Sequence, residues 1–184
     1  MKSSPYTVEV IKGYSSSILR DILTISSEAE PESWQYPNAQ EYYGETLRDE
    51  NTIHILLRRD QLPIGYLLAI PHNDAVHDEE LRQADPGLVE DPDRLYIETM
   101  EIVPEFGRSL AGGRLCLMML RTLIEEAGKR GIFSFSMHTR VNSGLSSALR
   151  KIYGSMLTQF RRIENWPFYN GEEPTEYIEG TYRG

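Results

Sequence analysis

The run Leu95-Tyr-Ile-Glu98-Thr-Met-Glu101-Ile102-Val103-Pro-Glu-Phe-Gly-Arg108-Ser109-Leu110-Ala111-Gly112-Gly113-Arg114 carries the residue types that grip phosphate. It reads as a strand, then a loop dense in backbone donors, then a helix. Two adjacent glycines let the main chain approach an anion with no Cβ in between. The N–H groups of the helix's first turn point at that anion with the positive end of the helix dipole behind them. The chemistry this pattern supports is capture of a phosphorylated cofactor by residues 108 to 114, with Arg108 and Arg114 available for charge-assisted contacts. The same glycines would serve an ordinary tight βα turn, so the flanking elements decide between the two.

Other chemistries find little support. The histidines, His54, His72, His77 and His138, show no metal-ligand spacing, and one cysteine cannot complete a zinc site. No metal is expected. A Gly-x-Ser-x-Gly elbow and a Gly-Lys-Ser/Thr phosphate-loop ending are both absent from the sequence, which argues against a serine hydrolase and a nucleotide hydrolase. Cys116, set among Leu115, Leu117 and Met118, reads as inert helix core.

The elements that must position the loop follow from periodicity. Tyr6 to Ile11 alternates as a strand, and Ile18, Leu19, Ile22, Leu23 and Ile25 recur at helical spacing from Ser15 to about Ser27. Pro31 to Asn38 is a proline-fixed loop whose Trp34 and Tyr36 either line a substrate pocket or cover core. Ala39 to Arg48 follows as a short helix. Asn51–Arg58 and Leu62–Pro71 form an antiparallel hairpin around Arg59-Asp60-Gln61. His72 to Asp93 reads as an exposed polar connection with one short helical turn at Asp78 to Ala84. A strand at Arg94 to Val103, an amphipathic helix at Gly112 to Arg130 and a strand at Ile132 to His138 come next. A helix beginning at Asn142-Ser-Gly and ending near Ile152, then strands at Met156 to Ile163 and Glu176 to Tyr182, complete the order β-α-α-β-β-β-α-β-α-β-β.

With 184 residues, the chain fits one domain spanning 1–184. Hydrophobic content of 40% and charged content of 26% are ordinary for a globular protein. The net charge of −9 works against binding nucleic acid or an anionic membrane and would draw in a cationic amine. No apolar run reaches membrane-spanning length, and Met1-Lys-Ser-Ser-Pro-Tyr lacks a signal-type apolar region, so a cytoplasmic location is expected.

The element order together with the loop resembles the GNAT N-acetyltransferase superfamily over nearly the whole chain. That family's cofactor loop is Arg/Gln-x-x-Gly-x-Gly/Ala after a strand ending in a Val-x-Pro-like step. Here Val103-Pro104-Glu105 leads to Arg108-Ser109-Leu110-Ala111-Gly112-Gly113, with Ala111 where the first glycine is usual unless the register shifts to Gly112. Thr139-Arg140-Val141-Asn142 is similar to the family's Arg and Asn after the fifth strand.

The resemblance implies an α/β (α+β mixed) fold with a central mixed, mostly antiparallel sheet of about seven strands, helices on both faces, and strands four and five splayed. It implies acetyl-CoA or another acyl-CoA as co-substrate, with its pantetheine arm beside Ile102 and Val103, its diphosphate on residues 108–114, and Asn142 nearby. It also implies acyl transfer to a primary amine of a small molecule, peptide or protein, and a homodimer is left open.

Such transfer needs a base for the ammonium and an acid for the thiolate. Glu98 and Glu101, three apart and so on opposite faces of a regular strand, are the candidate bases, with Glu98 preferred. Leu149 occupies the position of the family's usual tyrosine, and Tyr153, one helical turn on, is the candidate acid. Two further readings stay open. One is a long-chain acyl donor, for which the Met-rich helix face, Trp34 and Tyr36 would supply an apolar tunnel; the other is a catalytically silent acyl-CoA-binding module.

Overall fold

Ile53-His-Ile-Leu-Leu57 is almost unbroken in apolar residues because β2 (Ile53–Arg59) is buried along its first five positions, so neither face is marked by polar alternation. Around it a seven-stranded sheet forms in the order β1-β2-β3-β4-β5-β7-β6, with β1 Tyr6–Ile11, β3 Leu62–Pro71, β4 Arg94–Ile102, β5 Ser134–Arg140, β6 Leu157–Ile163 and β7 Thr175–Thr181. The β1/β2, β2/β3, β5/β7 and β6/β7 pairs are antiparallel, and β4/β5 is parallel. The expected mixed, mostly antiparallel sheet is therefore present. The computed structural model describes residues 4–31, 35–107, 110–168 and 173–182. Residue contacts group the chain into two units, Met1–Ala69 with Thr99–Glu126, and Ile70–Glu98 with Ala127–Gly184.

In the first unit, α1 (Ser16–Ala29) buries Leu19, Ile22 and Ile25, the positions that its spacing marks as one face. Next in sequence, α2 (Ala39–Thr46) buries Tyr43, and Ile55, Leu57, Ile64 and Tyr66 add to the core of the unit. The hairpin between β2 and β3 turns at Asp60, whose φ of 55° is left-handed, a conformation that aspartate tolerates better than most residues. Arg58 ties the strands to α1 through Glu9 at 2.9 Å and Asp21 at 2.6 Å. The sequence places a loop between the fourth strand and the long helix. Instead α5 (Pro104–Gly107) follows β4, and α6 (Leu110–Lys129) has already begun by Leu110.

The second unit corrects one expectation. Residues 72–93 are not simply an exposed connection. They form α3 (His72–His77) and α4 (Glu79–Ala84), and His72, Ala75, Val76, Asp85 and Leu88 are buried. Asp78 caps α4 by accepting from the Leu81 N–H at 2.7 Å, the N-terminal capping geometry that an Asp before a helical turn predicts. His72 anchors the start of the segment: its ring nitrogens sit 2.8 Å from Ser136 Oγ and 3.0 Å from the Val89 carbonyl. A segment rich in polar residues reads as solvent-facing because sequence does not show that its histidine and aspartate meet buried partners. Further along, α7 (Leu145–Tyr153) starts after Gly144, whose φ of 74° suits glycine, and a 3-10 turn at Val141–Ser143 precedes it.

Candidate active site

In the first unit, the turn from β4 into α6 is set by a close approach. A Cβ at Gly112 would lie 2.2 Å from the Gly107 carbonyl oxygen, whereas one at Gly113 would meet nothing within 4 Å. Gly112 is thus required by packing between the end of α5 and the first turn of α6, and Gly113 leaves an open surface. This first turn carries no acidic residue. Arg114 is exposed at its edge. Arg108 and Ser109, together with the side chains of Leu110 and Ala111, lie outside the described residues.

Val103 has both backbone groups engaged. Its N–H donates to the Ile64 carbonyl at 2.9 Å, and its own carbonyl accepts from Phe106 at 2.9 Å and Gly107 at 3.0 Å. Since successive peptide groups of a strand face alternate sides, the N–H groups of Ile102 and Met100 point away from β3.

Glu101 lies in the buried series Leu95, Ile97, Thr99 and Glu101, while Glu98 shares the half-buried series with Met100 and Ile102. The expected division of the two glutamates between the strand's faces is consistent with this burial. Glu101 is 8% exposed, and its Oε2 has no hydrogen-bond partner among the described residues. Burial first, and the charge of Glu30 second, push its carboxyl up to about 8. Glu30 caps the C-terminal end of α1, its backbone N–H donating to the Ser26 carbonyl at 3.1 Å. A carboxyl with such a value, buried on a strand, has the properties of a proton acceptor that works near neutrality.

Tyr36 packs against Tyr42 with ring centroids 4.6 Å apart and against Tyr43 at 5.9 Å. It also lines a cleft of about 820 Å³ together with Tyr14, Leu19, Leu23, Glu41 and Arg48. Tyr36 thus packs on the tyrosines of α2 and borders the cleft. Trp34 lies outside the described residues.

In the second unit, the parallel ladder runs from Arg94↔Ser134 to Ile97↔Met137 and stops, although β4 continues to Ile102 and β5 to Arg140. No β4/β5 pair follows Ile97↔Met137 among the described residues. Tyr153, at the end of α7, is half-buried, and its hydroxyl is buried with no partner among the described residues. Asn142 is exposed in the 3-10 turn, and Leu149 is buried.

A buried polar chain that the sequence reading does not anticipate runs through this unit. His138 Nε2 lies 2.9 Å from Asp85 Oδ2, and Tyr96 Oη lies 2.9 Å from His138 Nδ1. Arg161 clasps both oxygens of Asp85, and Trp166 stacks on His138 at 4.5 Å. Burial pushes Asp85 up, but the hydrogen bonds from His138 and Arg161 outweigh it and hold the carboxyl well below the carboxylate range. Burial likewise holds His138 below its ordinary value, against the pull of Asp85, so the ring is neutral. An ionised Asp85 accepts only, so His138 Nε2 carries the proton and Nδ1 accepts from the Tyr96 hydroxyl. A Cβ at Gly87 would lie 2.9 Å from the Arg161 guanidinium carbon, so that glycine makes room for the clasp. The Asp85 side chain also accepts from the Gly87 N–H at 3.1 Å, which fixes the Asp85-Pro86-Gly87 turn locally.

Among the described residues, no group of three or more His, Cys, Asp or Glu could hold a metal ion, and no helix is long and apolar enough to cross a membrane. Cys116 is half-buried, and burial pushes its thiol up, away from nucleophilic character.

No protein-family model matches the chain, and no curated protein sequence matches it significantly. Solved structures do. The ribosomal-protein-S18-alanine N-acetyltransferase from Escherichia coli superposes with a TM-score of 0.62 at 16% identity, covering 97% of this chain and 96% of that one. The PaiA N-acetyltransferase from Thermoplasma acidophilum, in complex with coenzyme A, gives 0.59 at 11% identity over 96% and 99%. The aminoglycoside 6'-acetyltransferase type Ii gives 0.63 at 10% identity over 97% and 99%. Strand order, the parallel pairing of the fourth and fifth strands, and these near-complete superpositions agree: the chain has the fold of the GNAT N-acetyltransferases.

Proposed function

We propose that this protein transfers an acyl group, most simply acetyl, from acyl-CoA to a primary amine of a small molecule, peptide or protein. The observation that carries the reading is the β4/β5 ladder, which ends at Ile97 and Met137 while both strands run on. A pantetheine arm is an extended amide chain, and strand edges with unpaired peptide groups bind such chains by adding a strand. In this reading Ile102 and Met100 offer those groups, and Val103 serves to hold the turn. The first turn of α6, with Gly113 open to the surface, receives the diphosphate. Arg108, Ser109, Leu110, Ala111, Gly112 and Arg114 complete that cradle, and Asn142 lies at the cofactor's edge.

Glu101 takes the proton from the acceptor's ammonium, with Glu98 as the alternative base. The freed amine lone pair forms a C–N bond to the thioester carbonyl carbon, the C–S bond breaks, and the thiolate leaves. Tyr153 protonates that thiolate, a role that its unpartnered hydroxyl supports. One proton passes to solvent overall. Because Glu101 sits near 8, its ionised fraction rises as pH rises through that value, and kcat/KM rises with it.

The test is release of free thiol from acetyl-, succinyl- and palmitoyl-CoA across a panel of amines, alongside thermal shifts with each donor. Amine-dependent thiol release supports the reading. Stabilisation by acyl-CoA without turnover on any amine would leave only a binding role, and no stabilisation by any donor would refute it.

A further inference from the structure

Residues 72–93, with their short helices α3 and α4, lie against β5, β6 and β7 of the second unit with a small apolar grip. Val76 and Leu88 pack on Tyr177, with Leu81 and Ile163 at the edge. Polar anchors do the rest. His72 reaches Ser136 on β5, and Asp85 reaches His138 on β5 and Arg161 on β6. Both imidazoles in these anchors are enclosed, His72 being 0% exposed and the His138 side chain 4%. His77, the third imidazole of the second unit, is exposed beside Glu90 and takes no part in them.

Hydrogen bonding fixes each enclosed ring in its neutral form. The Val89 carbonyl can only accept, so His72 Nε2 donates to it and Nδ1 accepts from the Ser136 hydroxyl. His138 is arranged alike, Nε2 donating to Asp85 and Nδ1 accepting from Tyr96. A second proton must enter at Nδ1, where each ring already receives a hydroxyl hydrogen. The surrounding charges do not make room for it. His138 faces Asp85, Arg161 and His72, and the rings of Tyr96, Trp166 and Tyr177 close around it. The single charge of Asp85 is already matched by the Arg161 guanidinium, so an imidazolium there adds an uncompensated buried cation. His72 faces Arg94 on β4, Glu179 on β7 and Asp91 of its own segment, with the Tyr96 ring 6.4 Å away. Those two carboxylates favour a proton on His72, but Arg94 engages both of them. Burial is the leading effect on each ring and holds both below the ordinary imidazole value.

We propose that residues 72–93 form an acid-released strap, with His72 and His138 as the two pins that cannot take up a proton while the strap is closed on β5. The device is independent of acyl transfer. Its sign follows from linkage: a ring held neutral when enclosed, and free to protonate near 6.5 once in water, favours the open form as pH falls through that value. At neutral pH neither form gains a proton and the strap stays closed. Between about pH 7.5 and pH 5, one such ring raises the open-to-closed ratio about 30-fold, and two raise it about 900-fold. Asp85, ionised well below this window, does not contribute to it.

Hydrogen exchange of the full chain, read by mass spectrometry on peptides from 72–93 and corrected for the intrinsic pH dependence of exchange, tests the strap. In the wild type the opening ratio should rise by about 900-fold from pH 7.5 to pH 5, while peptides from β2 and β3 change far less. His72→Gln and His138→Gln each keep an N–H donor near the position of Nε2, and each should leave about a 30-fold rise; the double variant should leave none. A flat wild-type ratio, an equal rise in the β2 and β3 peptides, or a double variant that behaves like the wild type overturns the proposal. Imidazole resonances of the wild type read the same point without any substitution. Both rings should stay neutral at pH 6 for as long as 72–93 remains protected, and either ring protonating at or above pH 6.5 under a closed strap overturns the proposal.

Discussion

Replacing Glu101 by glutamine keeps the shape of the side chain and removes its titration, which isolates the free energy that the buried carboxyl costs. In the folded protein this carboxyl is pushed up to about 8 from a reference of 4.5. Below the lower value both folded and unfolded chains hold the proton, and the group costs no differential energy. Between the two values the unfolded chain ionises while the folded one does not, so stability falls as pH rises, and above about 8 the loss is complete. The span is 3.5 units, and at 1.36 kcal/mol per unit the loss comes to about 5 kcal/mol.

Glu101→Gln escapes it. The variant should match the wild type near pH 4 and exceed it at pH 9 by up to about 5 kcal/mol, or about 10 to 20 °C in Tm for a chain of this size. Subtracting the two stability curves, measured by urea titration at half-unit pH steps, cancels every group that titrates alike in both. The same variant should lose about 10²- to 10⁴-fold in kcat/KM if the carboxyl is the base. Curves that stay parallel from pH 4 to pH 9 would refute the burial argument, and with it the case for Glu101 over Glu98.

Other perturbations separate structure from chemistry. Gly112→Ala forces a Cβ onto the Gly107 carbonyl and should lower Tm and acyl-CoA affinity together, whereas Gly113→Ala, with open space around it, should leave Tm within about 2 °C; calorimetry and thermal denaturation read the contrast. Asp85→Asn leaves Arg161 and His138 facing a neutral group and should cost about 3 kcal/mol, the low end for a broken buried pair because the Arg161 side chain keeps 29% exposure. Since Asp85 is held below the carboxylate range, that stability is present at neutral pH and is lost as pH falls below about 4, which urea titration in acid checks.

Periodicity made the sheet legible because its signals are local. The helical spacing of Leu19, Ile22 and Ile25 and the turn chemistry at Asp60 each act within a few residues, and the elements they define fall close to the expected bounds. The Val103-Pro104 step and Gly112 were legible for the same reason, although the long helix starts earlier than glycines used as helix-start markers suggest. What the sequence hid is contact across long separations. Asp85 and Arg161 are 76 residues apart, and His72 and Ser136 are 64 apart. Nothing in the local pattern of 72–93 distinguishes an aspartate that meets a buried guanidinium from one that meets water. Height along the strand is what favours Glu98 in the sequence; the greater burial of Glu101 is not visible in one dimension, and Glu101→Gln tests which of the two acts as base.

The two buried carboxyls therefore carry opposite information. Asp85 is 1% exposed and Glu101 is 8% exposed, so solvent exclusion alone does not separate them. Asp85 is met by a guanidinium and an imidazole from its own chain, which hold it ionised, and removing either donor would leave a charge stranded. Its network is complete and fastens the 72–93 segment to β5 and β6. Glu101 meets no such donors: its Oε2 has no partner among the described residues, and burial, with the charge of Glu30 second, keeps it protonated near neutral pH. A chain selected for stability alone would remove such a group with one substitution to glutamine or an apolar residue. The energetic cost of this carboxyl and the base role proposed for it are therefore read by the same variant, Glu101→Gln, in its pH-dependent stability and in its kcat/KM.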